Sequence, residues 1–375
     1  MNFGATAIEF TEEQAMLQES AMRLCAELSP IETVRSLLED PQGYSETAWQ
    51  MMVDMGWTGL ALPESVGGSE FGLGAFVTVF EAMGRHLLTT PLMSTVLAAD
   101  LLARCDLAQS EHFLREVTAG AKATVAFLER EDWGSTNIAT TLVAGRLEGR
   151  KVHVADAANA DLIVIPALRD GRCVLVVLHG EQLAELHRHD HDVLDATRRA
   201  QTLAFSLAVD ETQIIDSAHA EQALADTRLV GAALVAAEAT GAAVSCLNVT
   251  VDYLKTRKQF GRLIGSYQAL KHPSVDILCA IDASKSLIYQ AATELTSHAL
   301  TRNARIACHM AKSKASETLV YAGDRAVQFH GGMGFTYDCD AQLFLKRGLW
   351  AQQAFGDPMH HRKRMAALIL DAAEV

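Results

Sequence analysis

The chain has 375 residues, 49% hydrophobic and 21% charged, with a formal net charge of −14. That length gives ample core for two or three globular domains, and the acidic balance argues against a surface for nucleic acid or anionic membrane. The seven cysteines are scattered without a CxxC pair, which argues against a disulfide framework or zinc site and points to a reducing, cytoplasmic setting.

No basic stretch followed by an apolar run opens the chain, so no secretory signal is expected. Thr11 and Gln14 make a capping box, which predicts a helix start with helical spacing to about Leu38. A second helix carries Trp49, Met52 and Met55 and stops at Gly56. After a turn-rich corner from Leu60 to Gly68, helices are expected over residues 72–87, 91–105 and 109–119, so residues 1–121 read as an all-α domain. Short β-branched and aliphatic runs follow: Thr124–Leu128, Thr140–Leu147, Lys151–Val154, Leu162–Pro166, Cys173–Leu178 and Ala204–Val209. Turn residues such as Gly145, Asn159 and Asp170-Gly171 separate them, which predicts a small β-barrel or sandwich over residues 122–215. His187, His189 and His191 alternate with Arg188, Asp190 and Asp192; such spacing can chelate metal, but here it reads as a polar loop.

Helical period returns near residue 217. Val230, Leu234, Ala237, Gly241, Val244, Leu247, Val251 and Leu254 form one apolar stripe. The run Leu229–Val251 contains Glu238 and many small residues, so it reads as a buried helix and not a membrane span. Helices near 267–299, 301–328 and 339–355 complete a four-helix bundle, with a final helix near 358–373, over residues 216–375. The expected fold class is therefore α+β: an N-terminal α domain, a middle β domain and a C-terminal bundle.

Two stretches of that bundle carry chemistry. In Arg257–His272 a helix ends at Arg257-Lys258, Phe260-Gly261 breaks it, and Ser266 is placed to cap the next helix. The corner offers a guanidinium, an amide, an aromatic ring and a glycine, a set suited to a diphosphate flanked by flat rings. In Gln328–Phe335 a helix ends at Gly331-Gly332, and paired glycines let a backbone approach a ligand closely. Singly these are a basic helix corner and a glycine C-cap; together they are far more specific.

The sequence resembles the acyl-CoA dehydrogenase family over essentially its whole length. Thr11–Gln14, Gly56-Trp57, Leu62-Pro63-Glu64 with Gly67-Gly68, and Glu81–Arg85 are similar to its N-terminal domain. Leu147–Val152, Ala160-Asp161 and Asp195–Arg199 resemble its β domain, and Arg257–His272 and Gln328–Phe335 its two FAD-binding segments. The resemblance implies that Arg257 holds the FAD diphosphate across a subunit interface, that Gln259, Phe260 and Gln268 line the nucleotide, and that Gln328, Gly331 and Gly332 meet the ADP half. It implies a dimer or tetramer, an acyl-CoA substrate, and an electron-transfer flavoprotein as acceptor. In the family reaction, a step of β-oxidation, a glutamate takes the α-proton of the thioester and the flavin takes the β-hydride.

The glutamate is missing from both of its usual places. The position 27 residues after Gln328 is Phe355, and the position 26 residues before Arg257 is Gly231. Glu238 is the carboxylate of that apolar helix. It reads either as a displaced base or as a structural glutamate paired with an arginine of a neighbouring helix. The β domain departs as well: His153 and Ala155 stand where many members have a flavin-stacking tryptophan and a hydroxyl, and Leu128–Ser135, with Trp133, replaces the usual substrate-wall segment. The run from Gly84 to Pro91 and the sequence Phe355-Gly356-Asp357 resemble base-less small subunits of bacterial heteromeric dehydrogenases of the pimeloyl-CoA and steroid side-chain types. The leading expectation is thus an FAD-binding subunit, in a heterotetramer, paired with a base-containing homologue. The alternatives are a self-sufficient dehydrogenase using Glu238, a flavin oxidase or monooxygenase on the same fold, and an FAD-free structural partner.

Overall fold

The computed structural model describes residues 12–295 and 299–370; the expected cap at Thr11 lies outside the described residues. Helices come first: α1 (Glu12–Leu28), α2 (Ile31–Leu37), α3 (Glu46–Asp54), α4 (Ala75–Arg85), α5 (Leu92–Cys105) and α6 (Leu107–Thr118). The helix expected to reach Leu38 is two, because Ser29-Pro30 interrupts it and proline has no N–H for the helical ladder. Ser45 accepts a hydrogen bond from the Ala48 N–H at the start of α3, and Gly56 turns the chain away after it with φ 73°.

The strands are β1 (Ala123–Val125), β2 (Thr141–Val143), β3 (Arg146–Ala155), β4 (Leu162–Arg169), β5 (Arg172–His179), β6 (His187–Asp190), β7 (Ala200–Ala208) and β8 (Ile214–Ile215). They form one sheet in the order β6-β7-β3-β2-β4-β5-β8, with β1 parallel to β4. Thr140–Leu147, expected as one strand, is a hairpin. Ala144 and Gly145 both take positive φ there, as a two-residue hairpin turn requires. The His187–Asp190 segment is an edge strand and not a loop; it has no apolar face to announce itself. β4 is a continuous apolar run because both of its faces are covered. Leu162 and Val164 join Leu101, Leu102, Phe113 and Leu114 of α5 and α6, while Ile163 and Ile165 face Leu203, Phe205 and Leu207 of β7.

The remainder is α7 (Ala220–Thr256), a small hairpin β9 (Lys258–Gln259) and β10 (Arg262–Leu263), then α8 (Gln268–Glu294), α9 (Arg302–His330), α10 (Ala341–Gln353) and α11 (Pro358–Leu370). The helical, β and helical stretches thus come in the expected order. Compactness groups them otherwise: Arg35–Gly72 with Thr89–Gly231 makes one unit, and α1, α4 and the chain from Ala232 onward make another. α7 is long and apolar enough to cross a membrane, yet its apolar stretch is 89% buried within the protein.

In the helical unit α4 and α7 touch backbone to backbone. A Cβ on Gly84 would lie 1.9 Å from the Glu238 carbonyl oxygen, and one on Gly241 would lie 1.9 Å from that of Glu81. Each glycine makes room for the other helix, so the crossing tolerates no side chain at either place. Gly241→Ala is therefore expected to destabilise the protein by about 3 kcal/mol or more, the upper end for overpacking. Urea denaturation reads this as a lower midpoint, and an unchanged midpoint would refute the close crossing.

Candidate functional site

α7 ends at Thr256, and the chain leaves it in a hairpin that returns to the same helix. The Arg257 N–H donates to the Tyr253 carbonyl and the Ile264 N–H to the Arg257 carbonyl, both at 2.9 Å. Gln259 pairs with Arg262 and Lys258 with Leu263. Phe260 and Gly261 form the tip with φ 52° and 77°, so the expected helix break is a two-residue turn with both residues left-handed. Ser266 does not cap α8: its hydroxyl donates to the Leu263 carbonyl at 2.7 Å, and Tyr267 occupies the cap position without a side-chain bond.

The second stretch comes to the same place. Leu254, Ile264 and Phe329 form a small buried cluster ringed by Tyr253, Tyr267 and Leu270. The Tyr253 ring lies against the His330 imidazole at 4.2 Å and 24°. His330 Nδ1 is 2.7 Å from the Ala326 carbonyl, which only accepts, so Nδ1 carries the hydrogen. Tyr253 and His330 were not singled out from the sequence. Their position beside each motif was visible there, but their mutual contact was not.

α9 ends at His330, and Gly331 takes φ 62° and ψ −141°, a conformation suited to glycine alone. Gly332 has ordinary φ, and a Cβ on either glycine would meet nothing within 4 Å. No atom of the described chain requires a bare backbone at Gly332; a ligand would. Arg257, Gln259, Phe260, Gln268, Gln328, Gly331 and Gly332 are all exposed. Phe260 is 91% exposed and Phe335 75%. Arg257, Lys258 and Arg262 gather positive charge at the negative end of α7, and Arg262 lies 3.9 Å over the Tyr267 ring. The corner therefore offers cations, flat rings and bare backbone together, which fits a dinucleotide bearing a diphosphate.

Glu238 is elsewhere. It is buried in the helical unit and forms an ion pair with Arg347 of α10, itself 1% exposed. Of the two readings of this residue, the structure supplies the partner that the structural one needs. Phe355 stands in the link between α10 and α11 with φ 58°, and Asp357 accepts the His360 N–H at 2.7 Å as the cap of α11. In the β-bearing unit His153 stacks on His191 at 4.2 Å, and Trp133 packs near Phe127 at 6.0 Å. Arg228 ties down the ends of that loop through the Phe127 and Ser135 carbonyls, both at 2.8 Å. Among the described residues no three His, Cys, Asp or Glu side chains are placed to hold a metal ion.

Comparisons with known proteins find matches along most of the chain. The description "Acyl-CoA dehydrogenase, N-terminal domain" matches residues 11–121, and "Acyl-CoA dehydrogenase, C-terminal domain" matches residues 220–369. Acyl-CoA dehydrogenase IpdE2 of Mycolicibacterium smegmatis is 31% identical over 364 residues, covering 95% of this chain and 99% of the relative. A solved structure of a variant of the Tcur3481-Tcur3483 steroid ACAD aligns with TM-score 0.83 and 25% identity over 97% of this chain and 99% of that one. The ChsE4-ChsE5 complex from Mycobacterium tuberculosis shares the fold at TM-score 0.85 and 22% identity, over 98% and 99% of the two chains.

The buried pair has a measurable signature. Arg347→Met removes the counter-ion of the buried Glu238 and is expected to cost about 3–5 kcal/mol. Adding Glu238→Leu should restore most of that loss. Denaturant midpoints of the three proteins test it; a double variant no more stable than Arg347→Met would argue against the pairing.

Proposed function

Since the chain belongs to the acyl-CoA dehydrogenase family, a family of oxidoreductases, we propose that it is the FAD-binding, base-less subunit of an acyl-CoA dehydrogenase and works with a homologous chain that carries the catalytic glutamate. The observation that carries this reading is the contrast between Glu238 and the corner. Of the carboxylates near the usual base positions, Glu238 is closed into a buried pair with Arg347 and Asp357 caps α11, while all seven residues expected to hold the cofactor lie open.

The chain's own residues would divide the work simply. The Arg257 guanidinium can grip a phosphate through two parallel N–H bonds, charge-assisted and about twice as strong as neutral ones. Gln259, Gln268 and Gln328 supply amide donors and acceptors for the nucleotide. Gly331 and Gly332 leave room for it against the backbone, and Phe260 offers a ring face. Bound FAD supplies the hydride acceptor. The α-proton needs a carboxylate that can accept it near neutrality; Glu238 could do so only by giving up Arg347, which would strand a buried cation. That supports a base from the partner chain. The names of the Tcur3481-Tcur3483 and ChsE4-ChsE5 structures describe two-chain assemblies, which supports the same arrangement here, with an electron-transfer flavoprotein as acceptor.

Co-purified with a homologue that has the glutamate, the chain should give a yellow complex that acyl-CoA bleaches; purified alone it should not bleach. In the complex, the paired change Glu238→Leu with Arg347→Met, which removes both charges together, should leave the bleaching rate unchanged. Arg257→Ala should weaken FAD binding roughly tenfold to a hundredfold, the value of a bond to a charged group. Bleaching by the isolated chain, abolished by Glu238→Gln, would reverse the assignment in favour of a self-sufficient enzyme.

A further inference from the structure

α11 is held to α9 by little apolar surface. Its buried residues are Pro358 and His361; Arg362, Lys363 and Arg364 are exposed, and Met365, Ala366 and Leu368 only half-buried or more open. His361 meets His309 of α9, with the two Nδ1 atoms 2.8 Å apart and the ring centroids 5.1 Å apart. In such a contact one nitrogen donates and the other accepts, so it persists only while one of the rings is neutral. The link before α11 leans on the same spot. Lys312 Nζ donates to the Gly356 carbonyl at 2.8 Å. Phe355 and Gly356 are both left-handed, and a Cβ on Gly356 would lie 2.8 Å from His360 Cδ2 and 3.2 Å from His361 Nε2.

The charged surroundings of the pair are one-sided. Arg305 and Lys312 from α9 and His360 and Arg364 from α11 all bear on it as cations. Asp357 in the link acts on Lys312 and caps α11, while Glu317 of α9 is taken by Arg362. Among the described residues, a proton added to the pair therefore meets cations and no carboxylate.

We propose that the His309–His361 contact is an acid-released latch: on acidification through the ordinary histidine range, α11 and the Ala354–Asp357 link leave α9 together while the rest of the bundle stays folded. The direction follows from linkage. Burial, then the neighbouring cations, push His309 from 6.5 down to about 4 and His361 down to about 2. A group whose docked value lies below its free value stabilises docking fully above the free value and loses that contribution as pH falls through and below it. The window therefore opens at about pH 6.5 and runs toward 4. Lys312, pushed by burial down to about 7, already carries its proton when the window opens and adds to the repulsion.

Hydrogen exchange of the full chain, followed by mass spectrometry and corrected for intrinsic rates, tests this. Between about pH 7.5 and about pH 5.5 the protection of residues 362–370 should fall roughly tenfold for each imidazole, with α9 still protected. His361→Phe keeps a ring and removes one of the two titrating groups, so the fall should shrink to about tenfold, as it should in His309→Phe, and the double variant should be protected equally at both pH values. Unchanged protection in the unaltered chain would overturn the latch. So would a pH-dependent loss that is undiminished in both single variants or survives in the double variant, or one shared equally by α8 and α9.

Discussion

The pairing of Glu238 with Arg347 fixes what the long helix α7 can do. Removing two charges from water costs several kcal/mol each, a cost offset only by close mutual contact. Once made, the contact ties α7 to α10 and takes from α7 its chemically interesting carboxylate. The backbone of the same residue sits against Gly84, so Glu238 is held from both its main chain and its side chain. A base must move, lose and regain a proton beside its substrate. A residue fixed in this way is suited to architecture.

The corner proposed to hold the cofactor lies at the far end of α7. The corner after Thr256 is built from the inside by Leu254, Ile264 and Phe329 and left unfinished outside. Its hairpin places a phenylalanine, a residue that strongly disfavours positive φ, at a left-handed tip with its ring in water. Both features are unfavourable for an isolated chain. They are consistent when a flat ligand or a second subunit covers the tip, and the bare, unobstructed Gly331-Gly332 turn beside it argues in the same direction.

Much of this was legible in the residues because it is local. Capping residues, the shift from helical period to short β-branched runs, and paired glycines after a helix are written in consecutive positions, and the order of helical, β and helical stretches followed from them. The misreadings have local causes as well. Pro30 was passed over inside a helical pattern, Ala144 does not look like a left-handed residue, and Ser266 spends its hydroxyl on Leu263 in place of a cap. The edge strand His187–Asp190 lacks the apolar alternation by which strands are found. What could not be read was any contact distant along the chain. Arg347 as the partner of Glu238, the stack of Tyr253 on His330, and the reciprocal glycine contacts of α4 and α7 join residues whose sequence neighbourhoods give no sign of one another.

The Glu238–Arg347 and His309–His361 contacts answer the same problem differently. At Glu238–Arg347 two opposite charges are buried together and cancel. At His309–His361 the charge is avoided, which holds only while a proton stays away. The first sits deep in the bundle, where losing it would strand a charge among apolar helices. The second sits under a terminal helix with little else to bury, where losing it frees one segment and exposes polar groups that water can satisfy. A fold that places its charge-cancelling pair at the centre and its pH-labile pair at the edge can yield at the edge without giving up the corner that Arg257 and Gln328 share.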